Sequence, residues 1–165
     1  VTGLMEYARI GVREDAKALD CNQILQDVLK DLSAQINITE SKIVIDDLPV
    51  IRGYETYIRL LFQNLISNAI KFKKEKGLHE IDITSSETKK EWTFTVTDNG
   101  IGIEEKDLDQ VFVIFKRLNN ASLYKGYGIG LAHCRKIVKM HHGEIHVTSK
   151  FGEGSRFSFT ISKTI

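Results

Sequence analysis

Two pairs of alternating segments constrain this chain more than any other feature. "HEIDITSS" with "EWTFTVTD", and "EIHVTSK" with "SRFSFTIS", place apolar residues at every second position, the period of a strand that buries one face. The members of each pair stand too close in sequence for a crossover, and the second pair turns through the glycine-containing "FGEG". Antiparallel hairpins at 78–98 and 144–162 therefore exclude the strict strand-helix alternation of a doubly wound parallel sheet.

Outside the hairpins the period changes to 3.6. Ile24, Leu25, Val28, Leu29, Leu32 and Ile36 predict one helix from about 22 to 38, capped by Asp20. Ile58, Leu61, Phe62, Leu65, Ala69 and Phe72 predict a second over 55–72. Leu131, Cys134, Ile137 and Val138 predict a third over 128–141, stopped by Gly143 in the favoured C-terminal position. A short helix is expected at 104–110. "KIVID" and "VIRG" read as short strands separated by the chain's one proline. Each long helix has a single apolar stripe, so the expected fold is an α/β two-layer sandwich: a mixed, mostly antiparallel sheet covered on one face by three helices.

The 165 residues fit one domain with a real core. Twenty-three Lys plus Arg against 22 Asp plus Glu leave a net charge of +1, so no global field draws the chain to nucleic acid. Cys21 and Cys134 are isolated and read as free thiols. No signal-peptide pattern or membrane-length apolar run occurs, so a cytoplasmic location is expected. The chain begins at Val1, and "VTGLMEYARI" has the pattern of a helix end without an N-cap, which suggests a piece of a longer protein.

Three stretches carry candidate chemistry. Asn64, Asn68 and Lys71 form a polar stripe at the edge of the apolar face of the 55–72 helix; ordinary solvated amides would give the same pattern. Asp98 continues the inward set Trp92, Phe94, Val96, and an inward carboxylate needs a hydrogen-bonding partner, although Asp-Asn-Gly is also a good turn. Gly126, Gly128 and Gly130 open a helix whose free N–H groups suit an anion, with Lys116, Arg117 and Lys125 just before it. Glycine clusters serve packing as well. No P-loop motif is present.

Taken in order, "NLISNAIKF", "DNGIGI", "VFVIF", "GYGIGL" and "GEGS" resemble the N, G1, F, G2 and final glycine boxes of histidine kinases, from about residue 20 to 162. The resemblance is to the catalytic, ATP-binding domain of a sensor histidine kinase. It implies the Bergerat-type fold shared with gyrase, Hsp90 chaperones and mismatch-repair ATPases. "LMEYARI" resembles the end of the preceding dimerisation helix, so residues 1–19 are expected to be that helix end and a linker, and 20–165 the catalytic domain.

The resemblance also implies roles. Asp98 would accept the adenine amino group, with Gly100 and Gly102 beside the base. Asn68 would ligate Mg²⁺, and Asn64 and Lys71 would act at the phosphates. Gly126, Gly128, Gly130 and Leu131 would hold the triphosphate at the helix start, Lys116 and Arg117 would lie in a lid, Phe112 and Phe115 would anchor that lid, and Ser155 would complete the nucleotide-binding set. ATP and Mg²⁺ are the implied cofactors. The implied partners are the dimerisation and phosphoacceptor domain and a response regulator receiver domain, in a homodimeric parent that a membrane anchor could hold.

Hydrolysing relatives carry a Glu at the position of Asn64, which favours phosphoryl transfer over hydrolysis here. The phosphoacceptor motif is missing: His79-Glu80 imitates it only locally, and His133, His141, His142 and His146 read as structural. Two residues depart from the pattern, Tyr127 where relatives have Ser or Thr, and Tyr54 where relatives have Asp after the glycine. A degenerate nucleotide-responsive interaction module and a Bergerat-fold ATPase are the alternative functions.

Overall fold

The computed structural model describes residues 15–114 and 128–165. In chain order the elements are β1 (Lys17–Asp20), α1 (Cys21–Asp31), α2 (Ser33–Thr39), β2 (Lys42–Ile45), β3 (Val50–Gly53), α3 (Glu55–Lys71), β4 (Glu80–Glu87) and β5 (Glu91–Asp98). A 3₁₀ helix (Glu105–Gln110), α4 (Gly130–Met140), β6 (Ile145–Lys150) and β7 (Gly154–Ser162) follow. Five strands form one sheet in the order β2-β4-β5-β7-β6, and β1 pairs with β3 in a separate ribbon. β2 runs parallel to β4, and every other pair is antiparallel.

Strand alternation sorts the sheet's faces. Ile81, Ile83, Phe94, Val96, Phe157, Phe159 and Ile161 are buried in one cluster with Leu25 and Val28 of α1, Ile58, Leu61, Phe62 and Leu65 of α3, and Ile137 and Val138 of α4. The opposite face carries Thr84, Thr93, Thr97, Thr148 and Thr160, none of them buried. This is the expected two-layer sandwich with its helices on one side.

Phe62 centres the contact between layers. Its ring meets Phe94 and Phe159 edge-on, both at 5.7 Å between centroids, while those two stack at 5.2 Å. A ring buried this fully contributes about 1.5–3 kcal/mol, and each favourable aromatic pair adds about 0.5–1.5. α3 is thereby fixed on the middle of the sheet.

Asp20 caps α1 as the sequence suggests, accepting from the Asn22 N–H at 2.9 Å and the Gln23 N–H at 3.3 Å. The expected 22–38 helix breaks, however, at Leu32, whose ψ is 2°. Leu32 is buried and Ile36 of α2 packs half-buried against the core, so the apolar stripe continues past the break with less burial. The C-terminus of α4 also differs from expectation. His142, not Gly143, takes the left-handed conformation, with φ 55°. Gly143 serves close packing instead: a Cβ there would stand 1.8 Å from the Thr160 carbonyl oxygen.

Candidate functional site

β5 is the middle strand of the five and ends in Asp98, paired with Ile81 on one side and Ser155 on the other. The inward register predicted from the alternation holds, and Asp98 is only 8% exposed. Its Oδ1 accepts the Gly100 N–H at 2.8 Å. Burial raises this carboxyl from 3.8 to about 6, with the backbone N–H groups of Gly100 and Ser155 and the charge of Lys74 opposing the shift. Asp98 is thus an acceptor whose charge its surroundings only partly compensate.

The loop after Asp98 folds back over α3. Ile101 N–H donates to the Phe72 carbonyl at 2.8 Å. A Cβ on Gly100 would lie 2.3 Å from that same carbonyl oxygen and 2.7 Å from Asp98 Oδ1, so the chain can pass here only as glycine. Gly102, at φ 70°, lies against the Lys150 carbonyl. These two glycines are therefore required by the protein's own backbone before a ligand is considered.

At the other end of the same helix segment stands Asn64. Its Oδ1 would be 3.0 Å from a Cβ on Gly130, the first residue of α4. Asn64 Nδ2 is buried and has no hydrogen-bond partner among the described residues. A buried amide donor left unmade costs about 1–3 kcal/mol, and its neighbours are a glycine helix start and the polar stripe. Asn68 and Lys71 continue that stripe and are likewise half-buried, with Lys71 Nζ 4.8 Å from the Phe72 ring centroid. α4 begins without a side-chain cap, leaving its first N–H groups for water or an anion.

α3 therefore joins the loop after Asp98 to the glycine start of α4. Asn64 faces the start of α4 and Phe72 supports the loop after Asp98; the eight-residue step from one to the other rises about 12 Å along the helix. Gly128, Gly130 and Leu131 lie at the Asn64 end, and Asp98, Gly100, Gly102 and Ser155 at the Phe72 end. Lys116, Arg117 and Gly126, with Phe115, Lys125 and Tyr127, lie outside the described residues. Phe112 packs edge-on against Phe157 at 6.4 Å. A groove of about 540 Å³ between the 3₁₀ helix, the second half of α4 and β6 contains none of the candidate binding residues.

Two supporting residues escaped the sequence reading. Ser149 Oγ accepts the Ile103 N–H at 2.8 Å, donates to the Gly154 carbonyl at 2.7 Å and meets Ser155 Oγ at 2.9 Å. Asn99 Oδ1 accepts from Glu80 N–H, and its Nδ2 donates to the Leu78 carbonyl, both at 2.9 Å. The loop after Asp98 is thus tied to β6 and β7 on one side and to the start of β4 on the other. Ser149 had a signal: it stands in register with Ile145 and Val147, where an apolar residue is expected.

Mg²⁺ fits this donor set only as a partner of phosphate. Among the described residues no three His, Cys, Asp or Glu side chains converge, while Asn68 offers a neutral amide oxygen of the kind that completes an ion already carried by phosphate oxygens.

Known proteins share this architecture. Residues 53–165 match the family described as histidine kinase-, DNA gyrase B-, and HSP90-like ATPase. The chain is 40% identical to cyanobacterial phytochrome A of Nostoc sp. over 98% of its own length and 21% of that protein. It is 36% identical to the adaptive-response sensory kinase SasA of Thermosynechococcus vestitus over 88% of its length and 39% of that protein. It therefore spans well under half of these relatives. Among solved structures, the nucleotide-free catalytic domain of histidine kinase ThkA superposes with a TM-score of 0.77 at 25% identity, covering 91% of this chain and 99% of that one. Full-length ShkA in complex with AMPPNP gives 0.82 at 24% identity over 99% of this chain and 35% of that one. The chain belongs to the histidine kinase-, DNA gyrase B- and HSP90-like ATPase family and has the fold of a histidine kinase catalytic domain.

Proposed function

We propose that this domain binds Mg-ATP and transfers its γ-phosphoryl group to a histidine on a dimerisation helix of the same parent protein. The observation that carries phosphoryl transfer over hydrolysis is Asn64. It faces the α4 start, where the resemblance places a water-activating Glu in hydrolysing branches, and an amide is no general base. Its Nδ2, unpartnered among the described residues, is instead a donor for a phosphate oxygen.

The remaining roles follow from the two ends of α3. Asp98 accepts the adenine amino group, and its position on the middle strand fixes the base. Gly128, Gly130 and Leu131 present the start of α4 to the triphosphate, and Lys71 adds charge at the phosphates. Lys116, Arg117 and Gly126 are assigned to the same phosphate end from the resemblance, and Ser155 supports Asp98 through its backbone. Mg²⁺, held by Asn68 and the phosphates, supplies charge neutralisation when bound. In the transfer a histidine nitrogen forms a bond to γ-phosphorus as the bond to the bridging oxygen breaks, and ADP leaves. The protein's contribution is mostly placement and charge.

The acceptor histidine belongs to the dimerisation and phosphoacceptor domain of a homodimeric, cytoplasmically exposed kinase, and a response regulator receiver domain takes the phosphoryl group next. The decisive experiment mixes this chain with γ-labelled Mg-ATP and a separately produced dimerisation domain. Acid-labile label on the latter is the expected result. Steady phosphate release without it would favour an ATPase, and nucleotide binding with neither would favour an interaction module.

A further inference from the structure

α3 and α4 run antiparallel, and three contacts mark their length. Asn64 meets Gly130 at the nucleotide end, Cys134 Sγ lies 4.0 Å from the Leu61 carbonyl in the middle, and the Tyr54 N–H donates to His141 Nε2 at 3.1 Å at the far end. The first is a packing contact, and the second is a long thiol hydrogen bond, weak by nature. The third is a directed hydrogen bond between the N-cap residue of α3 and the C-cap residue of α4.

His141 is built for that bond. It is fully buried, and its Nδ1 lies 2.8 Å from the Ile137 carbonyl oxygen. A carbonyl can only accept, so Nδ1 carries the hydrogen; the Tyr54 N–H can only donate, so Nε2 is the unprotonated, accepting nitrogen. Both partners are satisfied only by the neutral ring with its hydrogen on Nδ1. The Tyr54 ring packs edge-on against it at 5.1 Å, and a Cβ on Gly53 would stand 3.1 Å from Nε2. Its own carbonyl accepts the Ser162 N–H at 3.1 Å, which fixes this end of α4 on β7. Tyr54 makes no side-chain cap for α3; the Lys17–Glu55 ion pair ties this helix start to β1, and the bond to His141 ties it to α4.

We infer that His141 is a positioning residue for the nucleotide site, setting where α3 stands along α4 and so the spacing between Asn64 and the glycine start of α4. Phe62 holds α3 on the sheet, but apolar contact between α3 and α4 is itself non-directional and sets their mutual register less sharply than a directed bond does. A hydrogen bond has a narrow range of length and angle. Asn64 lies ten residues from Tyr54, about 15 Å along a rigid helix, so a displacement at the pinned end arrives at the other end undiminished.

This inference rests on the nucleotide-binding reading, and its test separates the two. His141→Leu removes the acceptor; His141→Gln keeps one, its amide oxygen, for the Tyr54 N–H. Ile83→Ala weakens the core from β4, away from the α3–α4 contact, and controls for stability. All are compared by calorimetric Mg-ATP titration under conditions where circular dichroism shows each folded. His141→Leu should lose at least tenfold in affinity, His141→Gln should stay within about threefold of the parent chain, and Ile83→Ala should leave affinity unchanged. Equal losses in His141→Leu and Ile83→Ala, or none in His141→Leu, would overturn the positioning role.

If the unmodified chain binds no Mg-ATP, the functional reading fails but the pin is still read by amide exchange. Exchange should accelerate at residues 61–68 and 130–134 in His141→Leu and not in His141→Gln. No acceleration there would refute it.

Discussion

Asn64 Oδ1 lies where a single methyl group on Gly130 would stand 3.0 Å away. That contact joins the polar stripe of α3 to the start of α4. Gly130→Ala improves intrinsic helix propensity by about 1 kcal/mol while pressing on the Asn64 amide. Unfolding free energy should therefore change by no more than about 1 kcal/mol in either direction, while Mg-ATP affinity falls about tenfold or more, a loss of about 1.4 kcal/mol in binding. Urea unfolding beside calorimetric titration checks both; unchanged affinity would remove Asn64 and Gly130 from the phosphate end.

Asp98 should cost the ligand-free domain stability. Its carboxyl is raised from 3.8 to about 6, so the folded state binds the proton more tightly than the unfolded chain. The penalty is fully present above about pH 6, shrinks as pH falls through that value, and is gone below about 4. Two pH units correspond to about 3 kcal/mol. Asp98→Asn should thus raise stability at pH 7 by about 1–3 kcal/mol, the lower figure allowing for a weakened contact to the Ser155 N–H. The advantage over the parent chain should vanish near pH 4, as read by urea midpoints at the two pH values.

The same carboxyl links nucleotide binding to protons. A donor such as an adenine amino group favours the ionised form and should draw the raised value down. ATP binding near pH 6 is then expected to release a fraction of a proton, and affinity should drop as pH falls from 7 to 5. Titration in two buffers of different ionisation enthalpy measures the release. In Asp98→Asn the buffer dependence should disappear, together with preference for ATP over GTP.

Asn68 is assigned to the metal and not to the base. Asn68→Ala should remove most of the Mg²⁺ dependence of ATP affinity while leaving adenosine competition unaltered. A full Mg²⁺ response in the variant would contradict the assignment. As a half-buried helix position, it should cost less than about 1 kcal/mol in stability.

Much of this was legible because the signals are periodic. The alternation ending in Asp98 placed a carboxylate inside, and the 3.6-residue stripe of α3 set Asn64, Asn68 and Lys71 at its edge; both describe how a side chain points, which local geometry decides. The break at Leu32 was not legible, since the apolar spacing runs through it with neither Gly nor Pro to interrupt it. β1 was missed because its four residues are held by pairing with β3, thirty-three positions on, and no short window contains both. His142 took the left-handed turn ascribed to Gly143 because β7 needs the glycine more. The tie between Tyr54 and His141 spans 87 residues and has no motif at all.

The middle position of β5 has a mechanical consequence. A strand with partners on both sides can exchange its amide hydrogens only through broad unfolding of the sheet, so the acceptor at its end is as steady as the domain itself. The start of α4 has no such flanks and no capping side chain, and it can open at a smaller free energy. On the proposed reading, the domain recognises the base against a reference as rigid as its sheet, and holds the phosphates at an end that fewer hydrogen bonds secure.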